Sequence, residues 1–345
     1  MLSYAVVVAT RNRLEMLQAC LPIFLNQTRT PSRVVIVDRS DDHDKVREFC
    51  LSLTSDIPLV VVYGAHANLP AQRNEGIDCV TDEDVIIFPD DDSLWHGDTA
   101  AKFMEVYEAD VNCRYGAVSG VDIYSSPLVD KSIVPTPRTR ITDNPYLMRL
   151  RNSIEMRFAP QPFEVYGLEK VTELSPVARN DALEHPLVSS IGGYRMSFRT
   201  DTARTLKFDE LLGSRIGYAT HEDKDMGLRV LRSGQLIAVA PEARVFHNTH
   251  PSRRAKGYAY GFFHVLNYAY VCRKIFPTDS RALAVTSRYL RYKVTLYATR
   301  VNSAYNRDIF HGARDALRTL ESILESDLNC LGQTYTDICE RNPLL

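Results

Sequence analysis

Along the first hundred residues the period of the hydrophobic positions alternates between that of a strand and that of a helix. Tyr4–Thr10 (YAVVVAT) is an unbroken, β-branched apolar run, the pattern of a strand buried on both faces. Behind it Asn12 is placed to cap a helix over Leu14–Leu25, whose Leu14, Leu17, Leu21 and Leu25 return at helical spacing. Arg33–Asp38 (RVVIVD) and Leu59–Tyr63 (LVVVY) predict a second and a third buried strand. Pro70–Cys79 then predicts a helix, and Asp84–Phe88 (DVIIF) a fourth strand ended by Pro89. Strands alternating with helices imply an α/β fold, a mostly parallel sheet flanked by helices with right-handed crossovers.

Beyond this the pattern loosens. Residues 125–190 are rich in proline and charge and show no clean period; they are expected to be an insertion or lid with some helix around Leu147–Met156. Ile191-Gly192-Gly193 opens a segment, Tyr194–Phe198, that predicts a further strand. Thr220–Ser233 predicts a helix with Gly234 at its end, and Gln235–Phe246 (QLIAVAPEARVF) returns as a strand. From Arg254 onward aromatic and basic residues interleave at helical spacings, ending in Ala313–Leu328. The expected organisation is therefore an α/β domain over 1–250 and a basic, helical C-terminal extension over 251–345. The domain divides into 1–124, the insertion 125–190 and a second half 191–250.

Composition sharpens this picture at three points. Hydrophobic residues make up 45% of the 345 positions and charged residues 24%, enough apolar material for a packed core. The net charge of −2 conceals an asymmetry: 251–318 carries 13 Lys or Arg against 3 Asp or Glu, a surplus of +10. Either that block is a helical cap with buried aromatics and solvated cations, or it meets an anionic partner. A peripheral membrane contact through 253–318 is one such expectation; nucleic acid has no accompanying motif. The seven cysteines contain no Cys-x-x-Cys pair, which excludes zinc ribbons and thioredoxin-type sites and suits reduced thiols. No signal-peptide pattern and no stretch of 18 apolar residues is present, so the expected location is cytoplasmic.

The candidate chemistry lies at strand ends, where open α/β sheets bind their ligands. Thr10-Arg11-Asn12 follows the first strand, Asp38 and its neighbours the second, and Asp90-Asp91-Asp92 the fourth. Three adjacent carboxylates repel one another unless a cation neutralises them, and hard oxygens suit Mn²⁺ or Mg²⁺. A solvated acidic turn is the plainer reading. Thr220-His221-Glu222-Asp223 opens a helix: Thr220 and Asp223 have capping-box spacing, yet a carboxylate at a helix N-terminus can also serve as a proton acceptor. His247 and His250, near the end of the last strand, are either ordinary polar residues or an imidazole ligand beside the acids. Arg73 and Asn74 are either solvated or near phosphate. Gly-x-Gly-x-x-Gly, Walker A, Gly-x-Ser-x-Gly and His-Glu-x-x-His sequences are all absent.

Taken in order, these pieces resemble a known family. Val8-Ala9-Thr10-Arg11-Asn12-Arg13, Ile36-Val37-Asp38, Pro70-Ala71-Gln72-Arg73-Asn74-Glu75-Gly76 and Phe88-Pro89-Asp90-Asp91-Asp92 look like the nucleotide-sugar half of family 2 inverting glycosyltransferases, which have the Rossmann-like GT-A fold. Gly192–Arg199, His221–Arg229 and Pro241–His247 are similar to the acceptor half. The resemblance covers 4–100 and 190–250, not 125–190 or 255–345. It implies that Thr10, Arg11 and Asp38 surround the base and ribose of a UDP-type donor and that Arg73 approaches base or diphosphate. It further implies that Asp90, Asp91 and Asp92 form the family's metal and diphosphate loop, with Asp92 the chief ligand and His247 completing the site. Asp223 would be the catalytic base, Glu222 would position the acceptor, and Gly193, Arg195 and His221 would contact it. The acceptor would be a glycan or a lipid-linked molecule, in synthesis of a surface glycan or glycolipid. Arg39 departs from the acidic residue that often follows the first Asp. With Trp95 the only tryptophan, the Gln-x-x-Arg-Trp sequence of processive synthases is missing. Two other classes share parts of this layout: a sugar-nucleotide nucleotidyltransferase, which wants glycines after the first strand, and a noncatalytic sugar-nucleotide-binding module.

Overall fold

The structure is a computed structural model that describes residues 1–123, 159–179, 185–213, 219–248 and 257–345. The helix expected around Leu147–Met156 lies outside the described residues. The chain divides into two compact units: Met1–Pro135, Leu168–Gly213 and Glu222–Thr249 form one, and Thr136–Gly167, Ser214–His221 and His250–Leu345 the other.

The first unit is built on one eight-stranded sheet. Its strands are β1 (Tyr4–Thr10), β2 (Arg33–Asp38), β3 (Leu59–Tyr63), β4 (Val85–Phe88), β5 (Ser93–Trp95), β6 (Tyr115–Asp122), β7 (Met196–Arg199) and β8 (Leu236–His247), in the order β3-β2-β1-β4-β7-β6-β8-β5. β1 pairs in parallel with β2 and β4, and β2 with β3, so Thr10, Asp38 and Phe88 all end at one edge. β7 runs antiparallel to both β4 and β6, so its first residue faces the same edge. β6 and β8 are parallel and β5 is antiparallel to β8, setting Ser93 opposite His247. The sheet is thus mixed, with its acidic end loop, its glycine turn and its terminal histidine gathered at one side.

Alternation along the strands divides the core between the two faces. Tyr4, Val6, Val8, Val34 and Ile36 pack with Leu17, Leu21 and Phe24 of α1 (Leu14–Leu25) and Phe103 and Met104 of α3 (Thr99–Ala109). Ala5, Val7, Val35 and Val37 pack on the other face with Ile77 of α2 (Leu69–Asp78) and Met226 and Val230. Gly76 is required there, because any Cβ on it would overlap Val7 Cγ1. A further helix, Ala- and Gly-free but capped by Asp42, covers His43–Ser52. One helix, Pro162–Arg179, lies within the expected insertion, and another, Thr200–Leu206, follows it. The helix over Glu222–Arg232 precedes β8.

The C-terminal helices of the second unit are Gly257–Ile275, Ser280–Ala298, Ala304–Arg318, Leu320–Leu324 and Leu331–Glu340. The aromatic stripe of the first is interior: Phe262, Phe263, Tyr268 and Tyr270 are all buried. Buried Asn267 donates to Thr220 O and Oγ1 and accepts from Tyr335 Oη at 2.7 Å, so its polar atoms are satisfied. No helix among the described residues is long and apolar enough to cross a membrane. The seven cysteines are all free.

Candidate active site

The acidic loop after β4 is held by residues that arrive from four other places in the chain. Asp91 is buried, accepting from Thr10 Oγ1 at 2.7 Å and pairing with Arg13 Nη1 at 2.5 Å. Burial pushes its carboxyl up to about 7, against the opposing pull of Arg13. Arg13 Nη2 reaches Asp92 Oδ2, also at 2.5 Å, so one guanidinium bridges two adjacent acids. Asp92 is itself buried, and its Oδ1 makes no hydrogen bond; His247 Nε2 lies 3.1 Å away. Burial would raise Asp92, but His247 and Arg13 outweigh it and hold the carboxyl below its ordinary range. Burial likewise opposes the charged form of His247, and Asp92 more than offsets it, raising the imidazole. Asp90, Asp92 and His247 each offer a ligand atom within 4.8 Å of the others. A buried carboxylate oxygen paired with an imidazole beside a second acid suits a divalent cation, so the donor set fits Mn²⁺ or Mg²⁺.

Arg73 joins this loop to the helix that begins at Glu222. It is almost wholly buried, donating from Nη2 to Asp90 Oδ1 and from Nη1 to Glu222 Oε1, both at 2.9 Å. Both of its Nη atoms are thus engaged by carboxylates, beside the loop where the diphosphate was expected. Glu222 is buried, and burial reinforced by neighbouring Asp223 pushes it up to about 7 despite Arg73. Asp223 is more exposed; its Oδ2 accepts from Gly193 N at 3.0 Å and its Oδ1 from Lys224 N at 2.8 Å. The capping-box alternative does not describe this geometry, because Thr220 directs its hydroxyl to Phe263 O instead. A Cβ on Gly193 would stand 3.5 Å from Arg73, 3.6 Å from Glu222 and 3.9 Å from Asp223, so the glycine turn lies directly over the three.

The remaining expected residues are more dispersed. Asp38 is fully buried and engaged locally, accepting from Ser40 N and Oγ and lying 2.7 Å from His43 Nδ1. It braces the loop after β2 from inside through Ser40 and His43. Arg11 is exposed at the end of β1. Asn12, expected to cap α1, sits at φ 55° and exchanges hydrogen bonds with Asp41, linking the loops after β1 and β2. Arg195 donates to Gly120 O at 3.3 Å and lies over the Tyr194 ring. His221 belongs to the helical unit, where its Nε2 lies 3.2 Å from His264 O and its ring packs against His264, Phe163 and Tyr268.

Two members were not predicted as site residues. Arg13 sits within the run after β1; the available signal was a cation three residues past a strand end, facing an acid triplet across a strand-order reversal. Tyr194 stacks on His247 with ring centroids 4.3 Å apart; it sits in the Gly192–Arg199 motif between two expected site residues, but its own type gave no sign of a stacking partner.

Comparison with known proteins gives one family match. Residues 5–158 match the model of "Glycosyl transferase family 2". No curated protein matches the chain. Among solved structures it is similar to the mannosyltransferase PcManGT from Pyrobaculum calidifontis, described in complex with GDP-Man and Mn²⁺. That likeness has TM-score 0.52 and 14% identity, over 98% of this chain and 86% of that one. It is also similar to S. aureus TarS 1-349, with TM-score 0.47 and 13% identity over 98% and 90%. At these identities the likeness to PcManGT speaks for a GT-A fold.

Proposed function

We propose, from the match of residues 5–158 to the model of glycosyl transferase family 2, a metal-dependent, inverting transfer of sugar from a nucleoside-diphosphate donor to an acceptor hydroxyl. The observation that carries the reading is Arg73, whose one guanidinium ties the acid loop to the helix bearing Glu222 and Asp223. Donor-side and acceptor-side groups are thereby fixed relative to each other, which is what a single displacement requires.

Asp90, Asp92 and His247 would hold the cation. The imidazole among the donors favours Mn²⁺ over Mg²⁺, which prefers an all-oxygen shell. When bound, the cation offsets the charge growing on the departing nucleoside diphosphate. PcManGT, of similar fold, is described with GDP-Man and Mn²⁺, and a donor of that chemical class is what this reading takes over. Its base is assigned to uracil only on the resemblance, so both UDP- and GDP-sugars belong in the test.

The chain's own residues account for the proton. Asp223 is oriented by Gly193 N and Lys224 N beside the glycine turn. It takes the proton from the acceptor hydroxyl as that oxygen attacks the anomeric carbon. One displacement inverts the anomeric configuration, with no sugar–enzyme intermediate. Glu222 acts by holding Arg73 and, through it, Asp90. The acceptor is a glycan or a lipid-linked molecule of surface-glycan synthesis.

Release of nucleoside diphosphate from a panel of UDP- and GDP-sugars, with Mn²⁺ or with EDTA, tests this. Asp223→Asn should lower turnover about 10²–10⁴-fold, the usual effect of losing a general base, and Asp92→Asn should abolish it. Undiminished turnover in EDTA, or a product whose anomeric carbon has retained its configuration, overturns the mechanism.

A further inference from the structure

Arg13 occupies a place that the reaction as usually drawn leaves out. Its two Nη atoms bridge Asp91 and Asp92, while its Nε is buried and makes no hydrogen bond. The guanidinium is therefore held by the acid loop alone. Asp92 shares its charge unequally: Oδ2 is taken by Arg13, and Oδ1 is the oxygen presented toward His247 and Asp90. A positive charge fixed on one oxygen of a carboxylate weakens what the other can offer a second cation, strongly so where burial limits screening. Arg73 does the same to Asp90 from the opposite side.

We propose that Arg13 is a built-in counter-cation that keeps divalent metal from binding firmly to the empty acid loop, so that firm binding waits for the donor's diphosphate. The proposal rests on the metal-dependent reading above. The diphosphate brings negative charge to the same place, offsets the guanidinium, and restores the attraction for the metal. Metal and nucleotide then bind as a coupled pair, and by linkage each strengthens the other by the same factor. Asp91, buried and satisfied by Thr10 and Arg13, is the anchor that keeps Arg13 in place.

Titration calorimetry of Mn²⁺ into the purified full chain, alone and with saturating UDP or GDP, tests the idea. For the wild type, nucleotide should tighten Mn²⁺ binding strongly. Arg13→Gln should bind Mn²⁺ alone at least about tenfold tighter than the wild type, and the gain on adding nucleotide should shrink correspondingly. Arg13→Lys keeps the charge without the two-pronged grip and should stay within about threefold of the wild type. A melting curve complements these: metal-free Arg13→Gln should melt lower than the wild type and gain more from Mn²⁺. If Arg13→Gln binds Mn²⁺ alone no better than the wild type, or if Arg13→Lys binds as tightly as Arg13→Gln, Arg13 merely positions Asp92 and the proposal fails. Absence of Mn²⁺ binding by the wild type even with both nucleotides overturns the metal-dependent reading itself, a separate result.

Discussion

Arg73 is a buried cation with a carboxylate on each side, and the two sides differ in what they ask of the fold. Asp90 is partly exposed, whereas Glu222 is buried beside a second acid, Asp223. Because burial pushes the folded-state carboxyl of Glu222 to about 7, above its ordinary 4.5, the folded protein holds this proton more tightly than the unfolded chain does. That contribution is complete below about pH 4.5 and is lost as pH rises through 7. Glu222→Gln cannot titrate but still accepts from Arg73. Its stability relative to the wild type should therefore rise from pH 5 to pH 8, by about 1–3 kcal/mol. Parallel melting curves at the two pH values check this; a difference that does not change with pH would refute it. At this scale the sequence announces types better than partners. Asp90, Asp92 and His247 were legible as candidates because metal-capable side chains, two carboxylates and an imidazole, stood at strand ends. The spending of Arg73 on Glu222 was not, since the two lie 149 positions apart and only the fold joins them.

Among elements, the buried strands were the plainest to read, because β1, β2 and β4 are continuous apolar runs that no helix of similar length would need. β6 was missed: its Gly116, Ser119 and Gly120 mute the apolar signal in a strand that is nonetheless buried over six of eight positions. The helix over Pro162–Arg179 was missed for a different reason. Its exposed Leu168 and its internal proline blur the stripe that marks an amphipathic helix. In the helical unit two elements touch backbone to backbone. A Cβ on Gly261 would overlap Ile309, and one on Gly312 would overlap Tyr258, each at the carbonyl. Gly312→Ala should therefore force the helices Gly257–Ile275 and Ala304–Arg318 apart and lower the melting temperature by about 3–8 °C. Gly97→Ala, where nothing lies within 4 Å, is the control. Equal melting of the two variants would show that the close approach is dispensable.

At the scale of the whole molecule, the charge surplus of 251–318 has lost one of its two arguments for a membrane. Phe262, Phe263, Tyr268 and Tyr270 are interior and Tyr258 and Tyr260 half-buried, so the exposed surface is carried mainly by cations, among them Arg281, Arg288 and Arg291 on the helix Ser280–Ala298. Purely electrostatic contact with anionic lipid contributes up to about 1 kcal/mol per cation and weakens with salt. The full chain should cosediment with phosphatidylserine-containing liposomes at low salt, release as salt rises, and bind less when the three arginines become glutamines. Binding indifferent to lipid charge would count against this surface. The sheet itself has a consequence for the span between β6 and β7. β6 leaves the sheet at Asp122 and β7 re-enters it at Met196, paired as neighbours and facing the same edge as the acid loop. Both ends of the intervening span are thus pinned side by side, and Ser119 stands opposite Met196 whatever its length. Lengthening a connection whose ends are already adjacent adds little closure entropy. The span can therefore change in length without rewiring the strands whose ends carry the acid loop and the glycine turn.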